Sequence, residues 1–286
     1  LELNLCSIQE SNEITDEAID YFANGNEELK NDVKYLVDVF TDAKEYGSIL
    51  EVKSVDFDAI KQRLKEVEDE DNLMFGDYRK AILDNLPAIV MQGKTMSRLY
   101  EVCITNPPYM GSDGMSQKLR DFVIKEYPSS KSDMYSVFIE KTFKYTKSNY
   151  LTSLVTMHSW MFLNSYKDLR KKIITDFTIN SLVQLGFEAF EGINGKVVQT
   201  VSWVSRKKSI KDFKATYIKL VDFYDSQRYR KEIEFFNNKN RYCETRQIDY
   251  LKIDGMPINY WISNKVRTIF SIANKLETLG EARQGL

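Results

Sequence analysis

Histidine and cysteine are scarce in this 286-residue chain, which has one histidine, His158, and three cysteines, Cys6, Cys103 and Cys243, far apart and without a CxxC pair. Such a set cannot build a cysteine/histidine zinc cluster, and an odd number of scattered thiols argues against a disulfide framework, so a reducing, cytoplasmic setting is expected. Long apolar runs are also missing: no stretch approaches the roughly 20 residues that span a bilayer, and no secretory leader pattern opens the chain, so no membrane partner is expected. Neither charge dominates. With 40 basic and 42 acidic residues, a net charge of -2 and a pI near 5.8, a nucleic-acid partner must be met by a local basic surface and not by the field of the whole domain.

What is present is core material. A hydrophobic content of 43% with 13% aromatic fills a sizeable interior and excludes a disordered chain. The sequence begins at Leu1 and stops after "ETLGEARQGL", which reads as a piece of a longer protein. Between Ile14 and Phe40 the apolar residues recur every three or four positions, predicting one or two amphipathic helices broken near "NGN". A short strand-like "SILEV" follows, then the acidic helix "DFDAIKQRLKEVEDEDN" and a further helix, "GDYRKAILDNLPAIVMQGKTMSRL", interrupted at Pro87.

From Tyr100 the pattern changes to strand and helix in alternation. "YEVCIT" reads as a buried strand, "KSDMYSVFIEKTFKYT" as a helix and "YLTSLVTMHSW" as a second strand. Helix "SYKDLRKKIITDF" then precedes strand "INSLVQLGF", and "VVQTVSWVSRK" makes another strand after the turn "FEGINGK". This is a βαβ series, so the expected fold is α/β, a mostly parallel sheet with helices on both faces and ligands beyond the carboxyl ends of its strands. After Ile210 the signal loosens, and a soft boundary near Asp212 separates a domain of residues 1–211, with extra helices over 14–99, from a helical connector at 212–286.

The stretch "EVCITNPPYMGSDG" carries the chemistry. Two adjacent prolines fix two φ angles and remove two donors, which rigidifies Asn106, Pro107, Pro108 and Tyr109 at a strand end. The Asn106 side-chain oxygen and the Pro107 carbonyl offer two acceptors for the two hydrogens of a planar amine, favouring a more tetrahedral nitrogen with its lone pair aimed at an electrophile. Tyr109 offers a flat face for a base withdrawn from its helix. A tight polar turn that merely ends a strand is the plainer alternative.

"NPPY" resembles the catalytic motif of amino-group methyltransferases that use S-adenosylmethionine, especially N6-adenine DNA methyltransferases. The longer series "ITNPPYMG", "KSDMYSVFIEKTF", "LVTMHSWMFLNSYKDLRKKI", "QLGFEAFEGINGKVVQTVSWV" and "IDGMPINYWIS" is similar to the large adenine-specific methylases of bacteriophage-exclusion systems, related to fused restriction-modification methylases. The resemblance implies a Rossmann-like methyltransferase sheet, double-stranded DNA as substrate, other phage-defence proteins as partners, and no metal. It places Asn106 and Pro107 on the adenine amino group and Tyr109 against the flipped base. Phe190 takes the place of a second aromatic on that base, with a core phenylalanine as the alternative. Asp133 and Tyr135 match a motif behind the catalytic loop, while Asp133 also suits a helix start. Ser48, in "YGSIL", stands where relatives carry an acidic residue near the cofactor adenine.

The main departure is the cofactor motif, a strand leading into a GxG loop, which none of the twelve glycines forms before Asn106. That half of the pocket is expected before Leu1, with the fragment inactive alone. Two other functions stay open beside DNA methylation: methyl transfer to another planar amine, in a protein glutamine or an RNA base, and a noncatalytic DNA-binding or assembly module. Lys167, Arg170, Lys171 and Lys172, with Arg206, Lys207 and Lys208, are candidate phosphate contacts, or solvated helix and strand ends. His158 is expected to be a hydrogen-bonded structural residue, Cys103 a small core hydrophobe, and "DGMPINYW" either a junction into the target-recognition region or an interdomain hinge.

Overall fold

A computed structural model describes residues 4–70, 75–190, 198–273, 278 and 280. Contacts divide the chain into two compact units, Leu1–Leu99 with Ser116–Asp121, and Tyr100–Met115 with Phe122–Leu286.

The first unit is helical. Helices α1 (Asp16–Ala23) and α2 (Glu27–Phe40) part where expected, at Asn24 and Gly25, which both take left-handed backbone with φ of 47° and 81°. Thr15 caps α1 by accepting from the Ala18 amide, and Asn26 caps α2 by accepting from those of Glu28 and Leu29. After the short α3 (Ala43–Tyr46) the expected strand at "SILEV" is absent. Gly47–Ile49 form a 3-10 turn, and Ile49 and Leu50 are buried in succession rather than in alternation, so no strand face exists to pair. Helix α4 (Phe57–Asp69) is followed by α5 (Gly76–Met96), which runs unbroken through Pro87. The proline lies on the exposed side, where the carbonyl it deprives of a donor can be hydrated. Burial of Ile82, Leu86, Ile89 and Val90 on the other side offsets its cost.

The second unit holds a six-stranded sheet in the order β1-β2-β4-β3-β5-β6. Its strands are β1 (Tyr100–Thr105), β2 (Thr146–Met157), β3 (Thr178–Gly186), β4 (Thr200–Arg206), β5 (Thr216–Lys219) and β6 (Arg241–Tyr242). Pairings β1–β2 and β3–β5 are parallel, whereas β4 runs antiparallel between β2 and β3, and β6 antiparallel to β5. Four strands therefore share one direction, and their carboxyl ends make a single rim. Helix α6 (Gln117–Glu126), whose first residues cluster with the first unit, and α7 (Met134–Tyr145) lie between β1 and β2 in the chain. Helix α8 (Lys167–Asp176) connects β2 to β3, and α9 (Arg230–Phe235) and α10 (Asn264–Ile272) follow β5.

Three sequence expectations change here. Among the described strands β1 is an edge, and Val102 and Ile104 on one of its faces are 54% and 73% exposed, so it is not a buried strand. Strands β5 and β6 join the same sheet from beyond Asp212, and the packing shows its divide near Leu99 instead. "DGMPINYW" is built into the core: Met256, Ile258 and Tyr260 are buried, and the Ile258 amide donates to the Met161 carbonyl at 2.9 Å. The turn over "FEGINGK" lies, past Phe190, outside the described residues.

Aromatic packing sets the core of this unit. Phe143 stacks on Phe177 at 3.7 Å, Tyr217 on Tyr260 at 4.7 Å, and Trp160 meets Trp203 at 4.8 Å. Gln247 secures the exit of α8: its Nε2 donates to the carbonyls of Ile173, Ile174 and Phe177, and its Oε1 accepts from the Ile179 amide at 2.7 Å. The helix-end carbonyls of Ile174 and Phe177 and a strand-start donor are thereby satisfied by one side chain.

Candidate functional site

The chain leaves the sheet one residue after Thr105, the last β1 residue paired with β2. Pro107 is buried, whereas Asn106 and Pro108 are exposed on the rim. The following residues are tied to the start of α7. The Met110 amide donates to Asp133 Oδ1 at 3.1 Å, the Met134 amide to the Met110 carbonyl at 2.9 Å, and the Ser112 amide to the Ser132 carbonyl at 3.2 Å. Asp133 Oδ1 also caps α7 by accepting from the Tyr135 amide at 3.1 Å. One carboxylate thus holds the loop and starts the helix, joining the two roles the sequence offered for it. Burial raises its pKa against the opposing pull of three backbone amides.

Tyr109 is partly buried and meets Tyr135 edge to face at 6.1 Å, while the Tyr135 hydroxyl and Ser159 Oγ share a hydrogen bond of 2.8 Å. Burial, and then the charge of Asp133, push the Tyr109 phenol to about 12, which keeps it neutral at physiological pH. Its hydroxyl donates to Asn106 Oδ1 at 3.3 Å, a long bond that a better donor would displace at a cost of about 1 kcal/mol. Two neutral acceptors beside an aromatic ring, with no carboxylate among the four residues, suit a neutral planar amine better than a cation.

The end of β3, beyond β2 and β4 in the sheet, lies on the same rim. Gly186 closes β3 with φ of 71°, and Phe187, just beyond, meets Tyr224 at 6.2 Å. Phe190 is partly buried at the end of this segment, outside the buried core. Ser48 is exposed in the 3-10 turn of the first unit. Cys103 is partly buried, and its thiol is pushed up by that burial, away from reactivity. Among the described residues no group of three or more His, Cys, Asp or Glu side chains stands together as a metal site. No described helix is long and apolar enough to cross a membrane.

The basic residues do not form one surface. Arg170 is 0% exposed, with its guanidinium on the carbonyls of Trp160, Leu163 and Gly255 at 2.5 to 2.9 Å, so it clamps three segments and presents no open face to a phosphate. Lys167, at the start of α8 on the strand-end rim, pairs with Asp254 at 2.9 Å. Arg206 and Lys207 lie at the far end of β4, by the amino ends of β2 and β3, where they donate to the carbonyls of Asn149 and Thr146. Lys172 pairs with Glu140 at 2.9 Å, and Lys171 and Lys208 are exposed. The antiparallel course of β4 carries Arg206 and Lys207 to the rim opposite Asn106, a separation that one-dimensional spacing does not reveal.

Sequence reading missed Gln184 and Tyr260. Gln184 Nε2 lies 3.0 Å from His158 Nδ1, and the Tyr260 hydroxyl donates to Gln184 Oε1 at 2.7 Å. These partners stand 26 and 76 positions apart in the chain, so no local motif joins them.

Residues 8–190 match the family described as Eco57I restriction-modification methylase. The chain is 40% identical over 204 residues to a protein named adenine-specific methyltransferase PglX, from Lacticaseibacillus casei (strain Zhang), covering 69% of this chain and 17% of that protein. It is 35% identical over 226 residues to adenine-specific methyltransferase BrxX of Escherichia coli O9:H4 (strain HS), covering 78% of this chain and 18% of that one. The chain therefore spans less than a fifth of the length of these curated relatives. Among solved structures, the DNA-bound ATP-dependent Type ISP restriction-modification enzyme LlaBIII aligns with a TM-score of 0.40 and 17% identity, covering 70% of this chain and 15% of that one.

Proposed function

Because this chain belongs to the Eco57I restriction-modification methylase family, we propose that the protein carrying it transfers a methyl group from S-adenosylmethionine to the N6 amino group of adenine in double-stranded DNA, as part of phage defence. The observation that carries this reading is the Asn106–Tyr109 loop, fixed by Asp133 at the end of β1 with two acceptors beside an aromatic ring. The adenine amino group donates one hydrogen to Asn106 Oδ1, displacing the Tyr109 hydroxyl, and the other to the Pro107 carbonyl. Drawing both hydrogens to one side weakens delocalisation of the nitrogen lone pair into the ring. Tyr109 stacks on the withdrawn base, and Phe190 bounds it from the end of the β3 segment. Methyl transfer would form the nitrogen–carbon bond as the carbon–sulfur bond of the sulfonium breaks, the electron pair of that bond staying on sulfur, and the amino nitrogen would then release one proton to solvent.

When bound, the cofactor supplies an electrophilic sulfonium methyl group. The described residues do not fit its adenosine half. Ahead of β1 no described strand runs into a glycine-rich turn, and Ser48 is an exposed hydroxyl in a separate unit. This chain accordingly supplies the amine-holding side of the reaction. Lys167 and Lys171, nearest the strand-end rim on α8, are the basic residues of the original set best placed to meet a phosphate there.

Incubating the full-length protein with double-stranded DNA and S-adenosylmethionine, followed by nucleoside analysis, tests the proposal. N6-methyladenine is expected. In parallel incubations with RNA or with protein, a methylated base or glutamine in place of N6-methyladenine would replace the substrate, and no product with an intact cofactor loop would favour a binding or assembly module.

A further inference from the structure

The chain's one histidine has a more specific place than a structural core residue. His158 follows the last residue of β2, the direct neighbour of β1. Counting from the last paired residues, Thr105 and Leu154, both Tyr109 and His158 stand four positions further on, at the same rim. Ser159 next to it bonds Tyr135, the ring against which Tyr109 packs. The His158 amide donates to the Gln199 carbonyl at 2.8 Å, and its ring meets Phe162 edge to face at 5.5 Å, so both backbone and ring are held.

The partner on one ring nitrogen fixes what the other offers. The Tyr260 hydroxyl donates to Gln184 Oε1, and the amide's Nε2, a donor only, faces His158 Nδ1. In this arrangement Nδ1 accepts, which places the proton on Nε2. Burial lowers the His158 pKa to about 4, so the ring stays neutral in the physiological range. Among the described residues Nε2 has no hydrogen-bond partner, although Gln184 and Tyr260 behind it are buried and committed.

Resting on the reading that this rim receives adenine, we propose that the His158 Nε2–H donates to an acceptor ring nitrogen of the target base, with Gln184 and Tyr260 as positioning residues that fix its tautomer. With the amino hydrogens taken by Asn106 and Pro107, adenine has only ring acceptors left, and a neutral donor complements them. It also opposes guanine, which presents an N–H at one of those positions. A neutral imidazole lacks the charge that would favour a phosphate. Tyr260 belongs to "DGMPINYW", so the same relay ties that segment to recognition of the base.

Two variants separate this role from a structural one. His158→Asn keeps an acceptor near the position of Nδ1 for Gln184 but removes the far donor; His158→Gln restores a donor near the position of Nε2. In the full-length protein, kcat/KM for DNA methylation should fall about 10-fold or more in the Asn variant and largely recover in the Gln variant. Targets carrying 1-deaza-, 3-deaza- or 7-deazaadenine locate the contact: the unmodified protein should discriminate against one of them, and His158→Asn should lose that discrimination. On the 286-residue chain, whose single histidine gives one pair of imidazole nitrogen signals, 15N spectra should show the neutral Nε2–H tautomer, with Tyr260→Phe introducing the other. The proposal is overturned if Asn preserves activity where Gln loses it, if no deaza target is discriminated, or if the proton lies on Nδ1. An Asn106→Ala control distinguishes the two levels. Methylation that depends on Asn106 but not on the His158 donor sinks this inference alone, whereas methylation indifferent to Asn106 sinks the reading beneath it.

Discussion

Replacing Asp133 tests how the Asn106–Tyr109 loop is built. Its Oδ1 accepts from the Met110 and Tyr135 amides, both at 3.1 Å, so Asp133→Ala removes a loop tether and a helix cap together. A lost cap costs about 1 kcal/mol, and leaving a partly buried amide unsatisfied adds about 1 to 2, giving roughly 2 to 3 kcal/mol. Asp133→Asn retains an oxygen that can accept both bonds. It also removes a charge that burial disfavours: the folded pKa is raised, so the folded state binds the proton more readily than the unfolded one, and stability from this group is gained as pH falls and is lost as pH rises through its titration. Near neutral pH the Asn variant should therefore stay within about 1 kcal/mol of the parent. Trp160, Trp203 and Trp261 all belong to the second unit, so tryptophan fluorescence in urea follows that unit specifically. The Ala variant should shift the midpoint down by about 1 M while the Asn variant barely moves it. Equal losses in both variants would refute the two-amide account, because then the charge and not the accepting geometry would matter.

Other outcomes follow from the same geometry. Gly186→Ala should cost about 2 kcal/mol in the same fluorescence assay, since φ is 71° and an added Cβ would stand 2.8 Å from Val221 Cα. Arg170→Met should destabilise by about 3 kcal/mol or more by stripping donors from three carbonyls, whereas Lys171→Ala should stay within about 0.5 kcal/mol. Calorimetry should show the isolated 286-residue chain binding S-adenosylmethionine at least about a hundredfold more weakly than the full-length protein, the effect of two or three missing hydrogen bonds. Comparable affinities would place the cofactor cradle within this chain.

Local signals in the sequence account for much of this structure. "NGN" breaks α1 from α2 because Asn24 and Gly25 accept positive φ, and the alternation after Tyr100 locates four strands with α7 and α8, while α6 between β1 and α7 goes unread. Where tertiary packing decides, local pattern fails. Pro87 sits within a helix because its side faces outward, and "SILEV" has strand-forming residues but no alternation to bury. Strand β5, four residues long, is too short to stand out amid the aromatic and charged residues around it. At the site, the strand-end place of NPPY was legible because its four residues are contiguous. Arg170 looked like one of a basic run on α8, yet its turn of the helix faces inward to two carbonyls of the preceding turn, Trp160 and Leu163, and to that of Gly255, 85 positions away. The relay to His158 is assembled from β3 and from a segment more than seventy positions further on, a relation only the fold creates.

The central claim, that the Asn106 loop holds an adenine amino group for methyl transfer, is tested most directly by replacing its first acceptor. Full-length protein with Asn106→Ala should bind DNA as the parent does and lose nearly all formation of N6-methyladenine, measured by nucleoside mass spectrometry with S-adenosylmethionine in excess. Undiminished N6-methyladenine from that variant would contradict the account.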